Sequence, residues 1–241
     1  MTVFARGSFP TTVTLEQVDE LAVHRWVPDG QVSAKLAFAC GFMGTPSDYS
    51  QLFEHIASHG IEVIVPPGDG RDPRALFGPT PASVLAERLA AVGASQGVDA
   101  LVGHSRGGQV AWLASAMVNP DVLVVIDPVD GEGRKPATPV ATAAPATFDA
   151  RTCVVGAEPA GRCSPDGFNH PRFAAMAPAH SKHLLFEMGH ADVLNERVAT
   201  FGRWLCGGAG DPDPARRTVA GVIVGHVLGI QEHGYPIPRI S

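Results

Sequence analysis

The sequence of 241 residues has few charged residues, few cysteines and no long apolar run. Only 17% of the residues are charged, and the net charge of −6 leaves no basic stripe for binding nucleic acid. The four cysteines, Cys40, Cys153, Cys163 and Cys206, show no CxxC or Cys/His spacing of a zinc site. They are also too sparse for a disulfide scaffold.

Membrane and secretion signals are equally weak in this sequence. No stretch approaches the roughly 20 apolar residues of a membrane span, and residues 1–9 are too short an apolar run for a signal peptide. The 27 glycines and 21 prolines follow no period, which excludes a collagen-like chain. We therefore expect a cytoplasmic protein with no transmembrane segment, no nucleic-acid partner, no metal and no other cofactor.

Short apolar runs alternate with amphipathic segments along the chain, which is typical of strands and helices in turn. The predicted strands are 11–18, 21–27, 34–39, 61–65, 98–102, 122–126, 153–156 and 182–187. The predicted helices are 49–57, 82–95, a helix beginning directly after Ser105, and 215–229.

Strands that are apolar throughout and separated by helices indicate a mostly parallel sheet with helices on both faces. The first two strands fit an antiparallel edge. No repeat or linker divides the chain, so we expect one α/β domain over residues 1–230 and an extended or loose tail over residues 231–241.

A candidate nucleophile lies where a predicted strand meets a predicted helix. The sequence Gly-His-Ser-Arg-Gly-Gly at 103–108 contains G-x-S-x-G in that setting. The serine of this motif occupies a sharp strand-to-helix turn, and the flanking glycines avoid collisions with neighbouring backbone. The following helix presents its positive end to a developing oxyanion. Ser105 is therefore the predicted nucleophile.

A serine hydroxyl needs a histidine to take its proton and a carboxylate to orient that histidine. With this motif the acid and the histidine follow the serine in the chain. The histidines after Ser105 are His170, His180, His183, His190, His226 and His233. His190 is favoured because it follows the last predicted strand directly, in Gly-His-Ala-Asp. His170 is the second choice, more simply a residue that lines the site or caps a helix.

Three carboxylates compete for the role of the acid. Asp127 ends the strand that follows the nucleophile helix, and Asp130 lies in the same turn. Glu158 follows the next strand. A carboxylate at a strand end is better oriented than one inside a loop, so spacing gives Asp127 a modest lead.

Hydrolysis of an ester develops negative charge on the carbonyl oxygen, which two backbone N–H groups should stabilise. One donor is predicted to be Arg106, directly after the nucleophile. The other is predicted in the glycine-containing loop 40–44, where Phe42 is favoured and Met43 is the alternative.

Apolar side chains near the predicted site suit a hydrophobic acyl or alcohol group. The residues assigned to substrate binding are Met43, Val129, Phe168 and His170. Phe42 and Phe77 are further apolar residues expected near the site. Segment 68–81 is either part of a lid over the site or a surface loop.

The motifs taken together resemble those of chlorophyllase, an α/β hydrolase that removes phytol from chlorophyll. The resemblance runs in order through most of the chain. It is carried by segments 49–52 and 55–60, GHSRGG at 103–108, DPVDG at 127–131, Cys163 with GFNH at 167–170, GHAD at 189–192 and RRTV at 216–219.

The resemblance implies an α/β-hydrolase fold and a triad of Ser105, Asp127 and His190. It therefore selects Asp127 over Glu158 and gives Asp130 a turn-building role. The family commonly has His-Gly before the oxyanion residue, whereas Cys40 replaces that histidine here. The composition rich in alanine, glycine and proline is typical of a bacterial member.

Three functions are considered for such a chain. The first is a serine carboxylic-ester hydrolase that cleaves a hydrophobic ester, such as chlorophyll to chlorophyllide and phytol, through an acyl-enzyme. The second keeps the triad but acts on a bacterial specialised metabolite as an acyltransferase, lyase or cyclase. The third is a binding module without catalysis, against which the ordered Ser, Asp and His argue.

Overall fold

The computed structural model describes residues 2–131, 138–159, 161–207, 210–231 and 234–240. Within them the chain forms nine strands and six α-helices. The strands are β1 (Thr11–Val18), β2 (Leu21–Pro28), β3 (Ala34–Ala39), β4 (Ile61–Val65), β5 (Ala100–His104), β6 (Val122–Ile126), β7 (Arg151–Glu158), β8 (Lys182–Glu187) and β9 (Arg239–Ile240). The helices are α1 (Ser50–Ala57), α2 (Ala82–Gln96), α3 (Arg106–Val118), α4 (His170–Met176), α5 (Glu196–Cys206) and α6 (Pro212–Leu228).

The described strands form one sheet in the order β1-β2-β4-β3-β5-β6-β7-β8-β9. All pairs from β4 to β8 along this order are parallel, while β1, β2 and β9 are antiparallel to their neighbours. The predicted parallel sheet with an antiparallel leading edge is therefore confirmed. In parallel strands the carboxyl ends meet at one edge of the sheet, and this edge gathers the loops after β3, β5, β6 and β8.

The sheet is covered on both faces because its central strands are apolar on both sides. In β3, Leu36 and Phe38 join the core formed with α1 and α6, whereas Ala37 and Ala39 join the core formed with α2 and α3. All four are buried. This alternation follows from the two-residue period of a strand, and it fixes β3 and β5 rigidly beneath the site.

Two of the boundaries that differ from the prediction have a clear local cause. The fifth strand begins at Ala100 rather than at residue 98, because α2 ends in a left-handed Gly97 and Val98 N–H donates to Gly93 O. The last helix begins at Pro212, since the Asp211 side chain accepts from Asp213 N–H and caps it. Helices α4 and α5 and strand β9 lie outside the predicted elements.

Cys163 and Cys206 form a disulfide that the sequence analysis did not predict. Cys40 and Cys153 remain free thiols. In the part of the chain that the structure describes, no helix has the length and apolar character needed to cross a bilayer.

Candidate active site

Ser105 lies in a strained turn between β5 and α3. Its backbone angles are φ 57° and ψ −127°, a region that residues other than glycine rarely adopt. Neighbouring backbone holds this conformation, because Ser105 N–H donates to Ile126 O at 2.9 Å and Ser105 O accepts from Val129 N–H at 3.1 Å. The turn therefore presents the serine hydroxyl above the carboxyl edge of the sheet.

The two glycines that flank this turn have no room for a side chain. A Cβ atom on Gly103 would lie 2.0 Å from Gly107 O, and one on Gly107 would lie 2.1 Å from Ala39 O. Both approaches are to backbone atoms, which cannot rotate away. The G-x-S-x-G pattern is thus a steric requirement of the turn.

His190 follows β8 and contacts both Ser105 and Asp127. Its Nε2 lies 2.9 Å from Ser105 Oγ, and its Nδ1 lies 2.5 Å from Asp127 Oδ2. An ionised carboxylate only accepts hydrogen bonds, so Nδ1–H donates to Asp127 and Nε2 accepts from the serine hydroxyl. His233, another histidine considered for this position, lies outside the described residues.

The His190 loop is held in place by a buried carboxylate that the sequence analysis did not single out. Asp192 Oδ2 accepts from Gly189 N–H at 2.7 Å, and Asp192 Oδ1 accepts from Arg203 Nε–H of α5 at 2.7 Å. The side chain of Asp192 is fully buried. The sequence offers one signal for this role of Asp192, which is its position two residues after His190.

The three candidate acids have different surroundings. Asp127 is fully buried at the end of β6 and contacts His190. Asp130 uses both carboxylate oxygens to accept from the backbone N–H groups of residues 131, 140, 141 and 142 and from the Thr142 hydroxyl. Glu158 has a side chain that is 43% exposed and lies near His170 instead.

The loop after β3 lies against the serine. A Cβ atom on Gly41 would come within 3.2 Å of Ser105 Cβ, and Met43 has a φ of 56°. Phe42 follows Gly41, and Arg106 opens α3 directly after Ser105. Phe42 and Arg106, the predicted oxyanion donors, therefore belong to the two segments that lie next to Ser105.

The side chain of Arg106 links the serine turn to segment 68–81. Its Nη1 donates to Asp69 Oδ2 at 2.9 Å, and its Nη2 donates to Thr80 O. Asp69 Oδ1 in turn accepts from Thr80 N–H at 3.1 Å. Both ends of this segment are thus bound to the residue after Ser105. Phe77, at its tip, is 93% exposed and does not line the site.

The residues assigned to substrate binding are distributed unevenly around this edge. Met43, Val129 and Phe168 are partly buried. Met43 lies in the loop after β3, Val129 N–H donates to Ser105 O, and Phe168 O accepts from Asp130 N–H at 2.7 Å. His170 lies deeper, because its side chain is only 1% exposed and its Nδ1 is 3.0 Å from His183 Nε2 of β8. A Cβ on Gly156 of β7 would lie 2.5 Å from the same Nδ1.

Comparison with known proteins shows where this architecture belongs. The model of the chlorophyllase family matches residues 82–233, which is more than half of the chain. The chain belongs to the chlorophyllase family. Among chlorophyllases it is 27% identical to chloroplastic chlorophyllase-1 of Citrus unshiu, over 78% of this chain and 66% of that protein. It is 29% identical to chlorophyllase-2 of Arabidopsis thaliana, over 76% of this chain and 69% of that one.

The fold of this chlorophyllase-family chain also has a solved counterpart. MGS-MChE2, an alpha/beta hydrolase enzyme from a lagoon-sediment metagenome, superposes with a TM-score of 0.57 and 18% identity, covering 80% of this chain and 95% of that one. This likeness confirms the α/β-hydrolase fold. The chain spans slightly under two thirds of the length of the Citrus chlorophyllase that it matches.

Cys40 directly precedes Gly41 in the loop after β3 and is a free thiol. Burial and the negative charge of Asp48 raise the pKa of the Cys40 thiol far above its ordinary value. The thiol therefore stays protonated at neutral pH and is a poor nucleophile beside Ser105.

Several buried histidines make the stability of this family member sensitive to acid. Burial lowers the pKa of His55, His104 and His170, so these rings stay neutral in the folded protein below pH 6.5, where the unfolded chain binds protons. For each pH unit below about 6.5, each such ring lowers the free energy of unfolding by up to about 1.4 kcal/mol.

We expect the free energy of unfolding, measured by urea titration, to fall between pH 7 and pH 5.5. Replacement of His55, whose Nε2 lies 2.9 Å from Val3 O, by glutamine should make this fall shallower. Equal stability at the two pH values would contradict the prediction.

Proposed function

We propose that this protein is a serine carboxylic-ester hydrolase with Ser105 as nucleophile, His190 as general base and Asp127 as the acid that orients it. The observation that carries the proposal is the pair of contacts of His190, 2.9 Å to Ser105 Oγ and 2.5 Å to Asp127 Oδ2. The 2.9 Å contact lies within the range in which a general base takes a proton, and the contact with Asp127 holds the ring in the tautomer whose Nε2 accepts that proton. Membership of the chlorophyllase family supports the same reaction.

In the first half-reaction, Ser105 Oγ attacks the ester carbonyl carbon while its proton passes to His190 Nε2. The electron pair of the carbonyl moves onto oxygen, and the N–H groups of Phe42 and Arg106 stabilise that charge. The tetrahedral intermediate then expels the alcohol, which takes the proton from His190 Nε2 and leaves an acyl group on Ser105.

In the second half-reaction, a water molecule gives a proton to His190 Nε2 and attacks the acyl carbonyl. Collapse of the second intermediate breaks the bond to Ser105 Oγ, which recovers the proton, and the carboxylic acid departs. Asp127 stays ionised throughout and stabilises the imidazolium that forms twice in each cycle.

The substrate is proposed to be an ester with a large apolar part, chlorophyll being the first to test. Met43, Val129 and Phe168 would contact that part, because they are partly buried apolar side chains in the loops that follow β3 and β6 and in the segment bonded to Asp130. The relatives named chlorophyllase support this choice.

The test is an assay of the purified protein with chlorophyll a and with a short p-nitrophenyl ester. We expect both to be hydrolysed, with chlorophyllide detected by chromatography and p-nitrophenol by absorbance. Turnover of the small ester alone would contradict chlorophyll as the substrate and would still support the hydrolase function. Turnover of both at the rate of the buffer blank would overturn the hydrolase and favour an acyltransferase, lyase or cyclase on the same fold.

A further inference from the structure

A buried hydrogen-bond network connects three loops around Ser105 and has no part in the proton transfers described above. Its two side chains are those of Tyr49 and His104, which are 1% and 3% exposed. Tyr49 lies directly before α1, where Phe38 and Phe53 pack against its ring with centroids 5.1 Å and 5.7 Å away. His104 is the last residue of β5 and directly precedes the nucleophile.

Three hydrogen bonds run in series through this network. Gly41 N–H donates to Tyr49 Oη at 2.9 Å, and Tyr49 Oη lies 2.8 Å from His104 Nδ1. His104 Nε2 lies 2.9 Å from the backbone oxygen of His190. The series therefore begins in the predicted oxyanion loop, passes the residue before the nucleophile and ends on the backbone of the predicted base.

The chemistry of the groups fixes the direction of every bond. The carbonyl oxygen of His190 only accepts, so His104 Nε2 carries the hydrogen. Burial lowers the pKa of His104, which keeps the ring neutral and leaves Nδ1 as an acceptor. Burial also raises the pKa of Tyr49, so its hydroxyl stays protonated and donates to Nδ1.

The close approach of Gly41 shows how tightly the network constrains the oxyanion loop. A Cβ atom at this position would lie 3.1 Å from Tyr49 Oη, 3.2 Å from Ser105 Cβ and 3.3 Å from His104 Nδ1. The backbone of Gly41 therefore fits against both network residues and the nucleophile. Phe42, the predicted oxyanion donor, is the next residue.

We propose that Tyr49 and His104 are positioning residues that fix the oxyanion loop, the serine turn and the His190 loop relative to one another. The inference rests on the proposed hydrolase function. No proton leaves the network during turnover. The network instead holds the Phe42 amide and the His190 ring in fixed positions relative to Ser105. Loss of one member should therefore impair transition-state binding more than substrate binding.

The test is the variant Tyr49→Phe, which keeps the ring and removes the hydroxyl. We expect kcat to fall by about 10- to 100-fold with KM changed less than about twofold, because misplacement near 1 Å has an effect of that order. Affinity for a boronic acid that mimics the tetrahedral intermediate should fall in parallel with kcat/KM. Unchanged kcat and boronate affinity, in a protein whose turnover depends on Ser105, would overturn the inference.

A matched control separates positioning from general stability. Ile56→Val, in the helix that follows Tyr49, removes one buried methylene and no hydrogen bond, and a change of this kind typically lowers stability. We expect this variant to lose thermal stability while it keeps kcat and boronate affinity. A loss of kcat in Ile56→Val equal to that in Tyr49→Phe would show that the effect is structural and would refute the positioning role.

A spectroscopic measurement tests the network without any turnover. In ¹⁵N-histidine spectra of the wild-type protein, His104 should show a protonated Nε2 and a hydrogen-bonded, unprotonated Nδ1 at pH 7. A His104 ring protonated at Nδ1 would overturn the proposed direction of the bonds. This measurement does not need Tyr49→Phe to fold, because it uses the wild-type protein. It also does not need turnover: a wild-type protein without turnover that depends on Ser105 would refute the hydrolase function and leave the histidine spectrum as the test of the network.

Discussion

Replacing Ser105 by alanine is expected to lower kcat for an ester by about 10⁴- to 10⁶-fold. The hydroxyl is the group that attacks the carbonyl in the proposed reaction, and the remaining N–H donors can only stabilise charge made by another nucleophile. The measurement is hydrolysis of a p-nitrophenyl ester by the variant and the wild-type protein, with circular dichroism to show that both are folded.

Ser115→Ala is the matched control for this experiment. Ser115 is a fully buried serine in the same helix α3, and its hydroxyl donates to Ala111 O at 2.9 Å, away from His190. Its loss should leave kcat unchanged. A serine-directed phosphonate should label the wild-type protein and Ser115→Ala but not Ser105→Ala. Ester turnover that persists in Ser105→Ala would remove the central element of the proposal.

The second large effect is expected from Asp127→Asn, with a fall in kcat of about 10⁴-fold. An asparagine amide can present its NH₂ group to His190 Nδ1, which would move the ring hydrogen to Nε2. In that tautomer Nε2 cannot accept the proton of Ser105. Steady-state kinetics of the variant across pH 6–9 measures the effect.

Glu158→Gln and Asp130→Asn serve as controls for this variant, because they replace the two other candidate acids. Glu158→Gln should keep wild-type kcat, since its side chain is 43% exposed and lies near His170. Asp130→Asn should lower the melting temperature, because several backbone donors lose their ionised acceptor, while the folded fraction keeps its kcat. A loss in Glu158→Gln that exceeds the loss in Asp127→Asn would reassign the acid.

The central part of the fold could be predicted from the sequence because its signals are local. The strand Val122–Ile126 is a continuous apolar run of five residues that ends at Asp127-Pro128, and such a run is typical of a strand buried on both faces of a sheet. Helix α5 could not be predicted in the same way. It places Phe201, Trp204 and Leu205 on its exposed side, so its apolar pattern does not mark a buried face.

The candidate site was predictable where chain order carries the information. Ser105 and His190 follow from a motif and a position after the last long strand. Spacing gave Asp127 only a modest lead, because residues 127, 130 and 158 all lie after strands, and their burial and hydrogen-bond partners cannot be read from the sequence. Resemblance to a family selected Asp127, and the structure gives the contact with His190 as its physical counterpart.

The support around the site was not predictable, because it depends on contacts between distant parts of the chain. The bond between Tyr49 and His104 joins residues 55 positions apart, and that between His104 and His190 spans 86 positions. Arg106 was expected to contribute its peptide N–H group, whereas its side chain also ties segment 68–81 to the serine turn. No local sequence pattern marks any of these three contacts.

The Cys163–Cys206 bond closes a covalent ring that contains α4, β8 and His190. A protease that cuts once inside this ring leaves both fragments joined, so the nicked protein runs as one band on a non-reducing gel and as two after reduction. The segment with His190 thus stays attached to the body of the protein after such a cut. That retention lasts only as long as the surroundings keep the two sulfur atoms oxidised.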